Sequence, residues 1–237
     1  MRNNKICLAL VFCIVFMVSG SSCNANHGGD STSPPIYDWV SVRSLDALEE
    51  MRSMIECDDT DKFDAYVSQV NGCTLDGTPV GKEDLIRFVT AVDAIPYVEL
   101  LDGEIVYIFH GCYESSKTGE PVEWIQVNIQ ADNGDSVGIF YWLSTNDIAG
   151  KINEIKKEER RGNLLKSPLS SQDGKVIFHV ETRKENQSEP GEVIHWYGEV
   201  DGIYTDISYC ISDARKVDTE ALLSNLKITS LSPNQEQ

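Results

Sequence analysis

Basic residues are scarce in this chain: 20 Lys and Arg stand against 38 Asp and Glu. A surface of that balance repels nucleic-acid phosphates and anionic headgroups, so neither is an expected direct partner. Cationic ligands remain compatible with it, and acidity by itself keeps an exported protein soluble. Apolar runs are short. The longest covers the 13 residues 6–18, fewer than the roughly 20 that a membrane-crossing helix needs. Catalytic signatures are missing too, with no GxSxG elbow, HExxH pair, P-loop or dinucleotide glycine fingerprint. Asp132-Asn133-Gly134-Asp135 lacks the length and terminal Glu of an EF-hand loop, and no CxxC or Cys/His spacing suits zinc. The expectation is a protein that is not an enzyme and has no cofactor.

What is present begins at the amino terminus. Arg2 and Lys5 precede the apolar run, and Ser19, Gly20, Ser21 and Ser22 follow it, which is the order of a signal peptide over residues 1–22. Its removal takes two basic side chains and no acid, leaving 18 basic against 38 acidic residues. Ser19-Gly20-Ser21-Ser22-Cys23 resembles a bacterial lipobox, which implies a diacylglyceryl group on Cys23. That pattern prefers Leu where Gly20 stands, so cleavage near Ala25 and release as a soluble secreted protein is the alternative. Residues 24–35 are rich in Asn, Gly, Ser and Pro and read as a flexible tether. The expected location is therefore outside the cytoplasm, at a membrane held through lipid.

Cys7 and Cys13 leave with the signal, so the folded part holds Cys57, Cys73, Cys112 and Cys210. Four cysteines in an exported protein permit three disulfide pairings. Cys57 and Cys73 flank a short predicted helix and are placed to staple it. Buried free thiols are the other reading.

Periodicity predicts an α+β fold in which an amino-terminal helical layer is followed by a tandem repeat of four antiparallel strands and a helix. Ser44 can cap a helix with Leu45, Leu48, Met51 and Ile55 on one face, and Thr60 one with Phe63, Tyr66, Val67 and Val70. A third helix spans 83–94 and stops at Pro96. The domain plan is 1–22 signal, 23–38 lipidated cysteine and tether, 39–96 helical segment, 97–161 and 162–230 the two repeats, and 231–237 a polar tail. The repeats rest on Trp124 against Trp196, Ile139, Tyr141 and Leu143 against Ile207, Tyr209 and Ile211, and Asp-Gly turns that recur. Residues 97–101 and 164–166 would open each copy, and helices near 147–158 and 219–226 would close it. Alternating apolar residues and Asp-Gly turns recur in any meander, which is the competing explanation.

Two constellations carry the candidate chemistry. Trp124, Phe140 and Trp142 form either a ligand-binding aromatic patch or a surface buried by the amino-terminal helices. Symmetric closure of the loop between the predicted strands 175–183 and 193–200 would set His195 across from Glu181 and diagonal to His179, within reach of a divalent metal or a proton transfer.

Residues 193–197 (Val-Ile-His-Trp-Tyr), 201–204 (Asp-Gly-Ile-Tyr) and 219–223 (Thr-Glu-Ala-Leu-Leu) together resemble repeat domains of extracellular lipoproteins in Gram-positive bacteria. The helix-plus-four-strand tandem also looks like the architecture of proteinaceous β-lactamase inhibitors, an analogy that transfers no binding residue. The expected function is a membrane-tethered, non-catalytic binding or sensing module whose partner is a protein or small ligand outside the cytoplasm. A protein-contact module, inhibitor or envelope assembly factor, is the alternative, and a metal-dependent hydrolase the third.

Overall fold

The computed structural model describes residues 38–74, 78–114, 120–144, 150–153, 163–185 and 191–232. The signal segment, Cys23, the tether and the polar tail lie outside them, except Asp38, Leu231 and Ser232. In chain order the structure holds β1 (Asp38–Val42), α1 (Leu45–Ile55), α2 (Thr60–Val67), β2 (Asn71–Cys73), α3 (Lys82–Ala94) and β3 (Tyr97–Glu99). There follow β4 (Glu104–Glu114), β5 (Pro121–Gln130), β6 (Ser136–Trp142), β7 (Asn163–Ser170), β8 (Val176–Glu185), β9 (Glu192–Val200), β10 (Ile203–Cys210), α4 (Thr219–Ser224) and β11 (Lys227–Thr229).

The helices obey local rules. Ser44 Oγ accepts from the Ala47 amide at 3.1 Å and caps α1, whose Leu48 and Met51 are fully buried. Asp59, one residue before the predicted Thr60, caps α2 by accepting from the Lys62 amide at 3.1 Å. In α3 the Asp84 carboxylate reaches back to the Gly81 amide at 2.7 Å, and Pro96 follows the helix end.

The predicted architecture is overturned. Among the described residues, nine strands join one large antiparallel sheet in the order β2-β1-β4-β5-β6-β10-β9-β8-β7. The described residues form no separate amino-terminal helical layer: β1 precedes the helices, β2 lies between α2 and α3, and both pair into the sheet, with Trp39 opposite both Cys73 and Gly111. Nor do the described residues form a repeat of four strands and a helix. β3 leaves the sheet to pair with β11, while β7 stays as an edge strand beside β8. The meanders β4–β5–β6 and β8–β9–β10 abut antiparallel at β6 and β10, with Ile139 opposite Ile207. Helical residues 150–153 and α4 pack on opposite faces of this sheet. Period-two alternation specifies strands but not the sheet to which each belongs, and that is why it suggested two equal units.

One face, the helix face, carries the core. Val40, Ile108, Ile125, Val127, Ile139, Ile207 and Trp196 project from it against Leu48, Met51, Leu85 and Phe88 of α1 and α3, all within one cluster. Tyr141 is fully buried there, and its hydroxyl accepts from the Val98 amide at 3.1 Å, which holds β3 under the sheet. Burial pushes that phenol well above its ordinary pKa. The β9–β10 turn places Asp201 and Gly202 at φ 47° and 82°, the double left-handed conformation that Asp-Gly favours in a two-residue hairpin.

Candidate functional site

Strand alternation sets aromatic side chains on the other, far face. Across it Trp39, Gly111, Trp124, Trp142 and Tyr204 are successive cross-strand partners on β1, β4, β5, β6 and β10. Gly111 is required in this row, because a Cβ there would overlap the Trp124 indole. Ring centroids lie 5.9 Å apart for Trp39 and Phe109, 5.9 Å for Phe109 and Trp124, and 6.0 Å for Trp124 and Trp142. The structure therefore brings Trp124, Phe140 and Trp142 onto one face, away from α1, α2 and α3. Trp124 is only 7% exposed, held by Phe109, Tyr113 and Trp142, whereas Phe140 and Trp142 are half-buried.

Polar groups border these rings. Trp142 Nε1 donates to Asp206 Oδ2 at 3.0 Å, and the Lys151 ammonium lies 5.3 Å over the Trp142 ring. Gln126 and Asn128 are buried beside them, joined by a 3.0 Å bond from the Gln126 amide to Asn128 Oδ1. Rings flanked by planar amides and a carboxylate can stack on a ligand and hydrogen-bond to its edge.

His179, Glu181 and His195 are not brought together. The β8–β9 register shifts between Phe178 and Val180, so His179 is an extra residue without an opposite partner. Beyond this bulge Glu181 faces Trp196, and His195 faces Thr182. One residue of slip sends alternate side chains to opposite faces. On the helix face Glu181 accepts from Trp196 Nε1 at 2.9 Å and Arg183 Nε at 2.7 Å; on the far face His195 Nδ1 lies 2.9 Å from Ser208 Oγ. Among the described residues no group of three or more His, Cys, Asp and Glu is arranged to hold a metal.

Cys57, Cys73, Cys112 and Cys210 form no disulfide with one another, so the staple between Cys57 and Cys73 is absent. Cys73 and Cys112 sit on the two strands that flank β1. Two strand spacings, roughly 9–10 Å, exceed disulfide reach.

Sequence patterns missed a polar cluster between α3 and the sheet. Glu123 lies 2.6 Å from His110 Nε2 and 3.2 Å from Arg87, and Arg87 also lies 3.9 Å from Asp38. The hydrogen bond from His110, and then the two nearby positive groups, hold the Glu123 carboxyl below its usual pKa against a partial desolvation that raises it. A depressed carboxyl contributes stability that is present above its unfolded value, about 4.3, and is lost as pH falls through the folded one. Glu123→Gln should thus be less stable than the parent at pH 7, with the gap closing below about pH 4; denaturant melts at pH 7 and 3.5 measure it. An equal gap at both pH values would refute the role of ionisation. The only legible sign of this cluster was a His and a Glu on neighbouring predicted strands. Arg87 enters through helix packing.

In comparison with known proteins, no protein-family model, no curated protein and no solved structure matches this chain.

Proposed function

We propose that this chain is a non-catalytic binding module, carried outside the cytoplasm and tethered through lipid on Cys23, with its ligand seated on the far face of the sheet. The observation that carries the proposal is the row of touching rings from Trp39 through Phe109 and Trp124 to Trp142, bordered by Asp206 and the buried amides of Gln126 and Asn128. Aromatic rings supply large contact area at low conformational cost, and the polar border fixes orientation. The signal-like residues 1–22, the lipobox-like residues 19–23 and the Asn-, Gly-, Ser- and Pro-rich stretch after them support the location. No helix among the described residues is long and apolar enough to cross a membrane.

Intrinsic tryptophan fluorescence, titrated with neutral oligosaccharides and short apolar peptides, tests the site. A ligand of this face should shift the parent's emission, and Trp142→Ala should weaken its binding at least about tenfold. Parent-like affinity in both Trp142→Ala and Trp39→Ala would exclude the face as the site.

A further inference from the structure

A cavity lies away from the aromatic row. It is a trough of about 890 Å³ bounded by the start of α1, the β3–β4 connection and the segment joining α4 to β11. That volume is within the usual range for a binding cleft. Its apolar lining includes Tyr97, Leu100, Leu101 and Ile105, together with Leu45 at the rim. Leu45 is 42% exposed, one of two large apolar side chains left so open among the described residues.

Charge on the walls is one-sided. Asp46, Glu99, Asp102 and Glu104 line the trough against one cation, Lys227. Lys227 stands opposite Glu99 in the β3–β11 pair, so a single cation faces four carboxylates. None of the described ion pairs includes Asp46, Asp102 or Glu104. The walls are also anchored before anything binds. Ser44 caps α1, and Gly103 packs so closely on β5 that a Cβ would come within 2.6 Å of the Gln130 carbonyl oxygen. A preformed cleft avoids ordering cost on association.

We infer that this trough docks a short basic segment of a partner protein, one that alternates Lys or Arg with an apolar side chain. The cations meet Asp46, Asp102 and Glu104, and the apolar residue covers Leu45 and the lining beneath it. Charge complementarity selects such a segment over acidic or neutral ones, and the formal charge of −18 on the whole chain speeds its approach. A small polyamine supplies the cations but nothing to cover the apolar lining.

The test uses the full chain and fluorescence anisotropy with labelled Lys-Leu-Lys-Leu-Lys, Lys-Gly-Lys-Gly-Lys and Glu-Leu-Glu-Leu-Glu peptides. The first should bind, at least about tenfold more tightly than the second, and the third should not bind. The double variant Asp102→Lys, Glu104→Lys changes two exposed residues and should lose at least about tenfold in affinity with unchanged circular dichroism. The control Asp58→Lys, Asp64→Lys, equally exposed and outside the trough, should bind as the parent does. Equal binding of the first two peptides, or equal losses in both double variants, would reduce the effect to diffuse charge attraction and overturn the proposal. So would an absence of binding. None of these results bears on the aromatic face, which is probed separately through Trp142.

Discussion

Replacing Asp135 by Ala should lower the unfolding free energy by roughly 2–4 kcal/mol, seen as a fall in denaturant midpoint without a change in slope. This carboxylate ends the β5–β6 turn and is completely buried. One oxygen accepts from the Tyr209 hydroxyl at 3.0 Å and pairs with Arg215; the other accepts from the Ser212 amide at 2.9 Å and the Ser212 hydroxyl at 3.0 Å. Through it the turn of one meander is fastened to the end of the other. Alanine would leave the Tyr209 hydroxyl and the Ser212 amide without their acceptor in a site that water does not readily reach, and that desolvation dominates the loss. Arg215 is partly exposed and can return to solvent. Asp135→Asn keeps the shape and one acceptor oxygen, so its loss should be smaller. A change under about 1 kcal/mol for Asp135→Ala would show that the two meanders do not depend on this anchor.

Trp196→Ala should cost about 3–5 kcal/mol, since it empties the largest fully buried side chain in the core. The indole stacks between Phe178 at 5.7 Å and Tyr209 at 6.2 Å, so its loss opens a cavity bordered by β8 and β10 at once. It also withdraws the Nε1 donor from Glu181. Trp196→Phe refills most of the volume but not that hydrogen bond, and should lose a smaller part of the stability. Chemical denaturation of both variants separates the two contributions. A Phe variant as unstable as the Ala variant would assign the cost to the Glu181 bond and not to packing.

The far-face aromatics show how far a pattern reaches. Trp124, Phe140 and Trp142 share a face because β5 and β6 join through a short turn at Asp132-Asn133-Gly134-Asp135 and alternate without interruption. Every step of that inference is local. The same rule failed for Glu181 and His195, where one bulged residue, His179, intervenes. Its cause lies on the partner strand: a Cβ at Gly198 would overlap the Ile177 carbonyl oxygen, so only glycine lets the two backbones approach as they do. Nothing within residues 179–181 announces that approach. The cluster of Arg87, His110 and Glu123 was hidden for a similar reason, since its members come from a helix and two strands whose packing no spacing encodes.

By itself the amino-acid sequence determined the acidic character, the absence of any long apolar run, the places of the three amino-terminal helices, the alternation of the main strands and the Asp201-Gly202 turn. Each follows from residues within a few positions of one another, through side-chain period, capping or permitted φ. Tertiary structure alone decided that β1 and β2 enter the sheet, that β3 leaves it for β11, that the two meanders meet at Ile139 and Ile207, and which residues meet across the bulge. Those choices minimise exposed apolar surface and unpaired backbone over the whole chain, and a strand's own residues do not specify which distant edge satisfies it.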